Sequence, residues 1–239
     1  MANENVDLMD ILRMNNVCSE YRTLQDIVYD TLRDDILSGK LPPDSPLNTS
    51  ELSRQMNISR TPIREAINKL ASIGLVSKPN HKEAKVASFM SDEIHEIFYV
   101  RSALEGLAAR ISAKEMNERD KMLLTQLVDE AFLCAKSGDD EKFMENDYVY
   151  HSLIYKSIKT PLIRSLCEQL YLITRCYRSI AYGLKSRHQL ASRNQLVAEE
   201  HDMIARCICA GDEESAERYG ILHHQNTVKI ISESYPSKK

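Results

Sequence analysis

The segment Leu52 to Val76, LSRQMNISRTPIREAINKLASIGLV, constrains the fold of this chain more than any other. Apolar residues recur at helical spacing on both sides of a short break. Leu52 and Met56 precede it, Ile63, Ile67 and Leu70 follow it, and Ile58 sits within it. The spacing predicts two short helices joined by a tight turn. Ser59 stands where an N-cap belongs, and Pro62 falls in the first turn, where a missing N–H costs nothing. Gly74 is placed as the left-handed stop. The start of the second helix carries Ser59, Arg60, Thr61 and Arg64, with Lys69 further along. Hydroxyls and guanidinium groups there suit the major groove of double-stranded DNA. Arg reaches base edges or phosphates, and Ser and Thr reach phosphates.

The net charge of the chain is -4, which argues against a nucleic-acid binder. The charge is unevenly spread. Between Arg54 and Lys85 lie Arg54, Arg60, Arg64, Lys69, Lys78, Lys82 and Lys85, against Glu65 and Glu83 alone. A basic segment in an acidic chain is the footprint of a small DNA-reading module attached to a second domain. Charge by itself equally fits a solvated helix face.

The string SRTPIREAINKLASIGLV resembles the winged helix-turn-helix of the GntR family of bacterial transcription regulators, and so does the preceding IVYDTLRDDILSGKLPPDSPLNTSEL. The resemblance implies operator-DNA contacts from Ser59, Arg60, Thr61 and Arg64. Two positions depart from the family pattern. The wing reads KPNHKEAKV, with Glu83 where the family usually has Gly, and Ser50 stands where many members have Arg.

At 239 residues the chain accommodates two domains. With 7 Gly, 7 Pro, no Trp and little strand-like alternation outside Leu75 to Ser88, it reads as mostly α. The expected organisation is an extension at 1–20, a winged helix-turn-helix of three helices and a small β wing at 21–89, and an all-helical antiparallel bundle at 90–235. The first helix is predicted from about Thr23 to Ser38, with a stripe of Leu24, Ile27, Val28, Leu32 and Ile36 and a stop at Gly39. Pro42, Pro43 and Pro46 stiffen the connection, and Asn48 with Glu51 reads as a capping-box-like start. In the bundle, N-caps are predicted at Ser91, Asn117, Asp139 or Asp140, Thr160 and Ser192, with a last helix after Gly211-Asp212. The result is about six helices with short links. The 6 Cys form no C-x-x-C pair, and no signal peptide or membrane-spanning run is visible, which points to a reducing cytoplasm.

Three predicted helical stripes in the bundle are interrupted by metal-ligand residue types. They read Met144, Asp147, His151, Ile154, Ile158; then Val197, His201, Ile204, Ile208; then Ala216, Gly220, His223, Thr227, Ile230. Taken singly, each His reads as a hydrogen-bonded core residue. Together they can satisfy one another by holding one divalent ion, since unpaired polar groups in a core are costly. One carboxylate and three imidazoles suit Zn, Ni, Fe or Mn. His224 turns about 100° from His223 on an ideal helix and is left out of the ligand set.

EIFYVRSALEGLAARISA, ENDYVYHSLIY and EEHDMIARCICAGDEESAERYGILHHQN are similar to the FCD effector domain of the FadR subgroup of GntR regulators. The similarity runs from Ser91 to Ser232. It implies a helical bundle whose metal ligands fall on Asp147, His151, His201 and His223, beside a pocket for a small carboxylate effector. Arg101, Arg175 and Arg178 are the candidates to pair with that anion, each of them also readable as a surface ion pair. The function expected is a homodimeric, ligand-responsive repressor on operator DNA, with no membrane partner and no enzymatic activity. A metal-dependent hydrolase is the alternative, disfavoured because no second carboxylate stands beside Asp147 in the sequence pattern. A non-specific structural DNA-binding protein is the third class.

Overall fold

The computed structural model describes residues 23–79, 83–88, 91–183 and 187–234. The extension at 1–20, the wing positions Asn80, His81 and Lys82, and the side chain of Ile230 lie outside the described residues. The chain divides into two compact units between Ser88 and Phe89.

The first unit contains α1 (Leu24–Leu37), α2 (Thr49–Met56), α3 (Arg60–Ser72), β1 (Val76–Ser77) and β2 (Lys85–Val86). Thr23 begins α1 with a full capping box, its hydroxyl accepting from the Asp26 N–H while the Asp26 carboxylate reaches back. Asn48 caps α2 by accepting from the N–H groups of Ser50 and Glu51. The reciprocal half of that box is not formed, and Glu51 instead accepts from Gln55 at 3.2 Å. Asn57, left-handed at φ 51°, makes the tight turn before α3. At the other end of α3, Gly74 has φ 81°, the Gly74 N–H donates to Ala71 and the Leu75 N–H to Leu70, a Schellman closure. Ile63, Ala66, Ile67 and Leu70 of α3 are buried with Ile27, Val28, Leu32 and Ile36 of α1. The strands pair antiparallel, Val76 opposite Val86 and Ser77 opposite Lys85, and Pro46 bridges Lys85 from the α1–α2 connection.

The second unit contains α4 (Ser91–Glu115), α5 (Glu118–Ser137), α6 (Asp140–Lys156), α7 (Pro161–Gly183), α8 (Arg187–Ala210) and α9 (Glu213–Ser234). Asn117 and Asp139 cap α5 and α6, and Asp212 caps α9 by accepting from the Ser215 N–H at 3.0 Å. Ser192 is not a cap. It lies inside α8, which starts at Arg187 because Arg187, Gln189, Leu190 and Ala191 are compatible with helix and extend it N-terminally. A core of Ala108, Leu124, Leu127, Tyr150, Ile154, Tyr171, Ile204, Ile208 and Ala216 runs through the bundle.

The α4–α9 contact sets the position of the polar cluster described below. Gly106 and Gly220 face each other, and a Cβ on Gly106 would stand 2.6 Å from Ile221 Cγ1 and 3.0 Å from the Glu217 carbonyl oxygen. Gly106→Ala gains about 1 kcal/mol of helix propensity, but overpacking against another helix costs about 1–3 kcal/mol. The expected net result is a destabilisation of about 1 kcal/mol, read as a lower urea midpoint at unchanged slope.

Candidate nucleic-acid interface and metal centre

In the first unit, Ser59, Arg60, Thr61 and Arg64 are all exposed. Ser59 is the N-cap of α3 by position, yet its hydroxyl makes no capping bond. That leaves the hydroxyl free for an external acceptor. Among the described residues, neither Arg60 nor Arg64 has an ion-pair partner. Other basic residues of the segment are engaged: Lys69 pairs with Asp26 at 3.5 Å and lies over the Tyr29 ring, and Lys85 pairs with Asp44 at 3.1 Å. Among the described basic residues of the segment, Arg60 and Arg64 at the start of α3 and Arg54 near the end of α2 are exposed and have no ion-pair partner. Ser50 and Glu83 are both exposed.

In the second unit, α6 contributes Asp147 and His151, α8 contributes His201, and α9 contributes His223. All four are between 1% and 2% exposed. The three imidazoles converge: their ring centroids are 5.2 Å apart for His151 and His201, 4.8 Å for His201 and His223, and 5.7 Å for His151 and His223. Each His offers a nitrogen within 4.8 Å of the others. The Nε2 atoms of His151, His201 and His223 are buried without a hydrogen-bond partner. Asp147 Oδ1 faces the same space, 3.9 Å from the Nε2 atoms of both His151 and His201. Two ligands of one transition-metal ion, each about 2.1 Å from it, lie at most about 4.2 Å apart. The two 3.9 Å separations from Asp147 fall within that limit. One carboxylate with three imidazoles is a donor set suited to a divalent ion, although the imidazole spacing of up to 4.8 Å would have to close a little round it.

The other oxygen of Asp147 is held in place. Oδ2 accepts from the Tyr171 hydroxyl at 2.7 Å and from Arg178 Nη2 at 2.9 Å. Burial opposes ionisation of Asp147, but the Arg178 guanidinium beside it, helped by the Tyr171 hydroxyl, outweighs burial and holds the carboxyl well below the usual range. His201 is kept neutral by burial and by the neighbouring His223 and His151, against the pull of Asp147. The His201 ring stacks on Tyr150 at 4.0 Å between centroids, and the Tyr150 hydroxyl donates to the His201 carbonyl at 2.9 Å.

Arg101 is buried, not a surface ion pair. Its Nε and Nη2 each donate to Glu105 Oε1 at 3.0 Å, Nη1 donates to Thr174, and the guanidinium lies over Tyr171. Arg178 is also buried, with Asp147 as its partner. Arg175 is only partly buried and lies over Tyr148 at 5.6 Å. His224 is 1% exposed and sits beside the cluster, 3.5 Å from Glu105, so its turn away from His223 points it at α4 and not at solvent.

Two carboxylates here were not singled out in the sequence. Glu105 accepts from His151 Nδ1 at 3.2 Å, and Glu200 accepts from His223 Nδ1 at 2.6 Å. The signals that could have found them are the Arg101–Glu105 spacing of four and the Glu200 adjacent to His201. An open groove between α8 and α9, lined by Leu196, Met203, Tyr219 and Leu222, reaches Glu200 and His223 from outside.

These pKa shifts give the metal-free protein an acid-labile core. The imidazoles of His201, His223 and His224 are all held below their ordinary 6.5. As pH falls below about 6.5 the unfolded chain takes up protons that the folded chain refuses, so stability falls with pH. Asp147 and Glu105, also held well below the carboxylate range, lose stabilisation in the same direction at still lower pH. Thermal melts of chelated protein should therefore show a midpoint that drops steadily from pH 7.5 to pH 5.

With the two units and their polar clusters in view, comparison with known proteins defines the class. Residues 24–82 match the model of bacterial regulatory proteins of the gntR family, and residues 96–226 match the FCD domain. The chain belongs to the GntR family of transcription regulators and carries the FCD architecture of the FadR type; it is a DNA-binding regulator and not an enzyme. It is 27% identical over 206 residues to a probable D-xylose utilization operon transcriptional repressor of Paenarthrobacter nicotinovorans, covering 84% of this chain and 85% of that one. It is 24% identical to the transcriptional regulator McbR of Escherichia coli K12, covering 89% and 94% of the two chains. The solved structure of E. coli McbR/YncC superposes with a TM-score of 0.77 at 22% identity over 90% of this chain and 99% of that one, and a GntR regulator from Rhodococcus sp. RHA1 with 0.66 at 18% identity over 88% and 98%. Both have the same fold. None of the described helices is long and apolar enough to cross a membrane.

Proposed function

We propose that this regulator is a cytoplasmic, homodimeric repressor whose hold on operator DNA responds to a small carboxylate bound at a divalent metal centre. Ser59, Arg60, Thr61 and Arg64 are the DNA-contacting residues, and two copies of α3 read the two halves of a near-palindromic site. Asp147, His151, His201 and His223 hold one ion, Zn, Ni, Fe or Mn. The observation that carries this reading is the convergence of three buried, unpartnered Nε2 atoms and one carboxylate oxygen on a single space.

Charge balance supports an anionic effector. The buried carboxylates of Asp147 and Glu105 are already matched by the guanidiniums of Arg178 and Arg101. Glu200 behind His223 adds one negative charge, so a divalent ion on three neutral imidazoles would still leave about one positive charge uncompensated in a low-dielectric core. A carboxylate completing its coordination would offset that charge. Arg101, Arg178 and Arg175 are the cationic groups to receive the rest of the anion, with Arg101 and Arg178 changing partners to do so. The groove beside Glu200 and His223 offers a small molecule a route inward.

Elemental analysis of purified, reloaded protein is the first test, followed by a thermal-shift screen of carboxylates on the loaded form. One ion per chain and a carboxylate-dependent rise in Tm are expected. Protein that takes up no ion contradicts the reading.

The wing gives a further prediction. Glu83 puts a negative charge near the phosphate backbone where the family usually has Gly. Glu83→Gly should tighten binding to operator and random DNA alike, and most strongly at low salt. A salt series of binding curves checks this, with equal affinities showing Glu83 to be harmless.

A further inference from the structure

Glu105, His151 and His224 form a second group of buried potential ligands, their donor atoms within 4.8 Å of one another. The group shares His151 with the three-imidazole centre. His151 is two-sided: its Nε2 faces the centre without a partner, and its Nδ1 meets Glu105 Oε2 at 3.2 Å. The question is whether Glu105 holds a second ion or holds the imidazole.

The surroundings of Glu105 decide it. Oε1 already accepts two N–H bonds from Arg101 and one O–H bond from Tyr155. A cation on Glu105 would displace or face the buried Arg101 guanidinium, and like charges that close in a core are strongly unfavourable. What remains is Oε2, aimed at the His151 ring. A neutral imidazole whose Nδ1–H donates to a carboxylate must present an unprotonated Nε2. That is the donor a metal needs, on the atom that faces the centre.

The same construction recurs on another helix. His223 Nδ1 meets Glu200 Oε2 at 2.6 Å, Glu200 Oε1 accepts from Asn226 at 2.7 Å, and the His223 Nε2 is left buried without a hydrogen-bond partner. His201 differs. Its Nδ1 has no hydrogen-bond partner among the described residues, and its ring is held by stacking on Tyr150.

Resting on the metal centre proposed above, we infer that Glu105 and Glu200 are positioning residues that fix His151 and His223 in the tautomer presenting Nε2 to a single shared ion. Glu105 reaches His151 from α4 and Glu200 reaches His223 from α8, so each of these two ligands is locked by a helix other than its own. The Glu105–His151–His224 group holds no ion of its own. Removing such a carboxylate from behind a ligating His weakens metal affinity by roughly 10- to 100-fold.

The test combines zinc titration with nitrogen NMR of the His rings. Wild type should bind one zinc per chain. Glu200→Gln and Glu105→Gln should each bind it about 10- to 100-fold more weakly, and a Glu200→Asp variant should recover part of the loss. In metal-free wild type, His151 and His223 should both show the Nδ1–H tautomer, and Glu200→Ala should release His223 alone to the common Nε2–H form. Two zinc ions per chain, unchanged affinity in Glu200→Gln, or an Nε2–H tautomer for His151 or His223 in wild type would each overturn the inference. Glu200 is only partly buried, so its variants fold even where Glu105→Gln does not. The tautomers are read without metal, so absence of zinc binding in wild type would defeat the metal centre while the ring assignment is still decided.

Discussion

His201→Ala is expected to leave the proposed metal centre without a stoichiometric ion. One of three imidazole ligands is then gone, and the two that remain, with Asp147, make a poorer site whose affinity falls by orders of magnitude. The variant also loses stability in the metal-loaded state, because the binding free energy of a structural ion is folding free energy. In the metal-free state the loss is smaller. Deleting the ring removes its stack on Tyr150 but also removes an unpartnered buried polar group, so the two effects partly offset. The expected pattern is a large fall in Tm with metal present and a fall of about 1–2 kcal/mol in stability without it. Elemental analysis and melts with and without chelator read both. His224→Ala is the control: it deletes a His just as buried from the adjoining helix α9, yet one outside the three-imidazole group, and it should keep its ion.

The second large effect belongs to α3. Arg60→Ala and Arg64→Ala should each weaken operator binding by on the order of 1–3 kcal/mol, roughly 5- to 150-fold, if the lost contact is bidentate to a base. Both side chains are exposed and free of ion pairs among the described residues, so the fold should be untouched. Fluorescence anisotropy on operator and random duplexes separates the two kinds of contact. A base contact is lost from the operator alone, and a phosphate contact from both, with a shallower salt slope. Unchanged operator affinity in both variants would remove α3 as the reading element.

The parts of this molecule legible in the sequence are those with local causes. Thr23, Asn48, Asn117 and Asp139 announce helix starts because capping chemistry acts within four residues, and Gly74 announces an end because only a left-handed residue closes the Schellman turn. The stripes carrying Asp147, His151, His201 and His223 were visible for the same reason, since a residue's position on a helix face follows from counting. Ser192 misled because a good capping residue inside good helix-forming sequence is simply a helical residue. Glu105 and Glu200 were missed for a different reason. Each lies on a helix other than the one bearing its imidazole partner, and which helices adjoin is set by packing such as the Gly106–Gly220 approach. No periodicity records that. Arg178 shows the same limit, because its partner Asp147 comes from another helix. Arg101 meets Glu105 one turn along its own helix, but its burial against Thr174 and Tyr171 is again set by packing.

The central claim is that a metal-held anion in the helical unit controls DNA binding by the other unit. Coupling of this kind is reciprocal and appears as a change in operator affinity. The direct measurement is operator affinity at fixed salt in four states of one preparation: metal-free, metal-loaded, metal-free with the carboxylate selected by thermal shift, and metal-loaded with that carboxylate. The account predicts that the last state differs from the other three by about 5- to 150-fold, with the carboxylate weakening binding only when metal is present. The same affinity in all four states would contradict it.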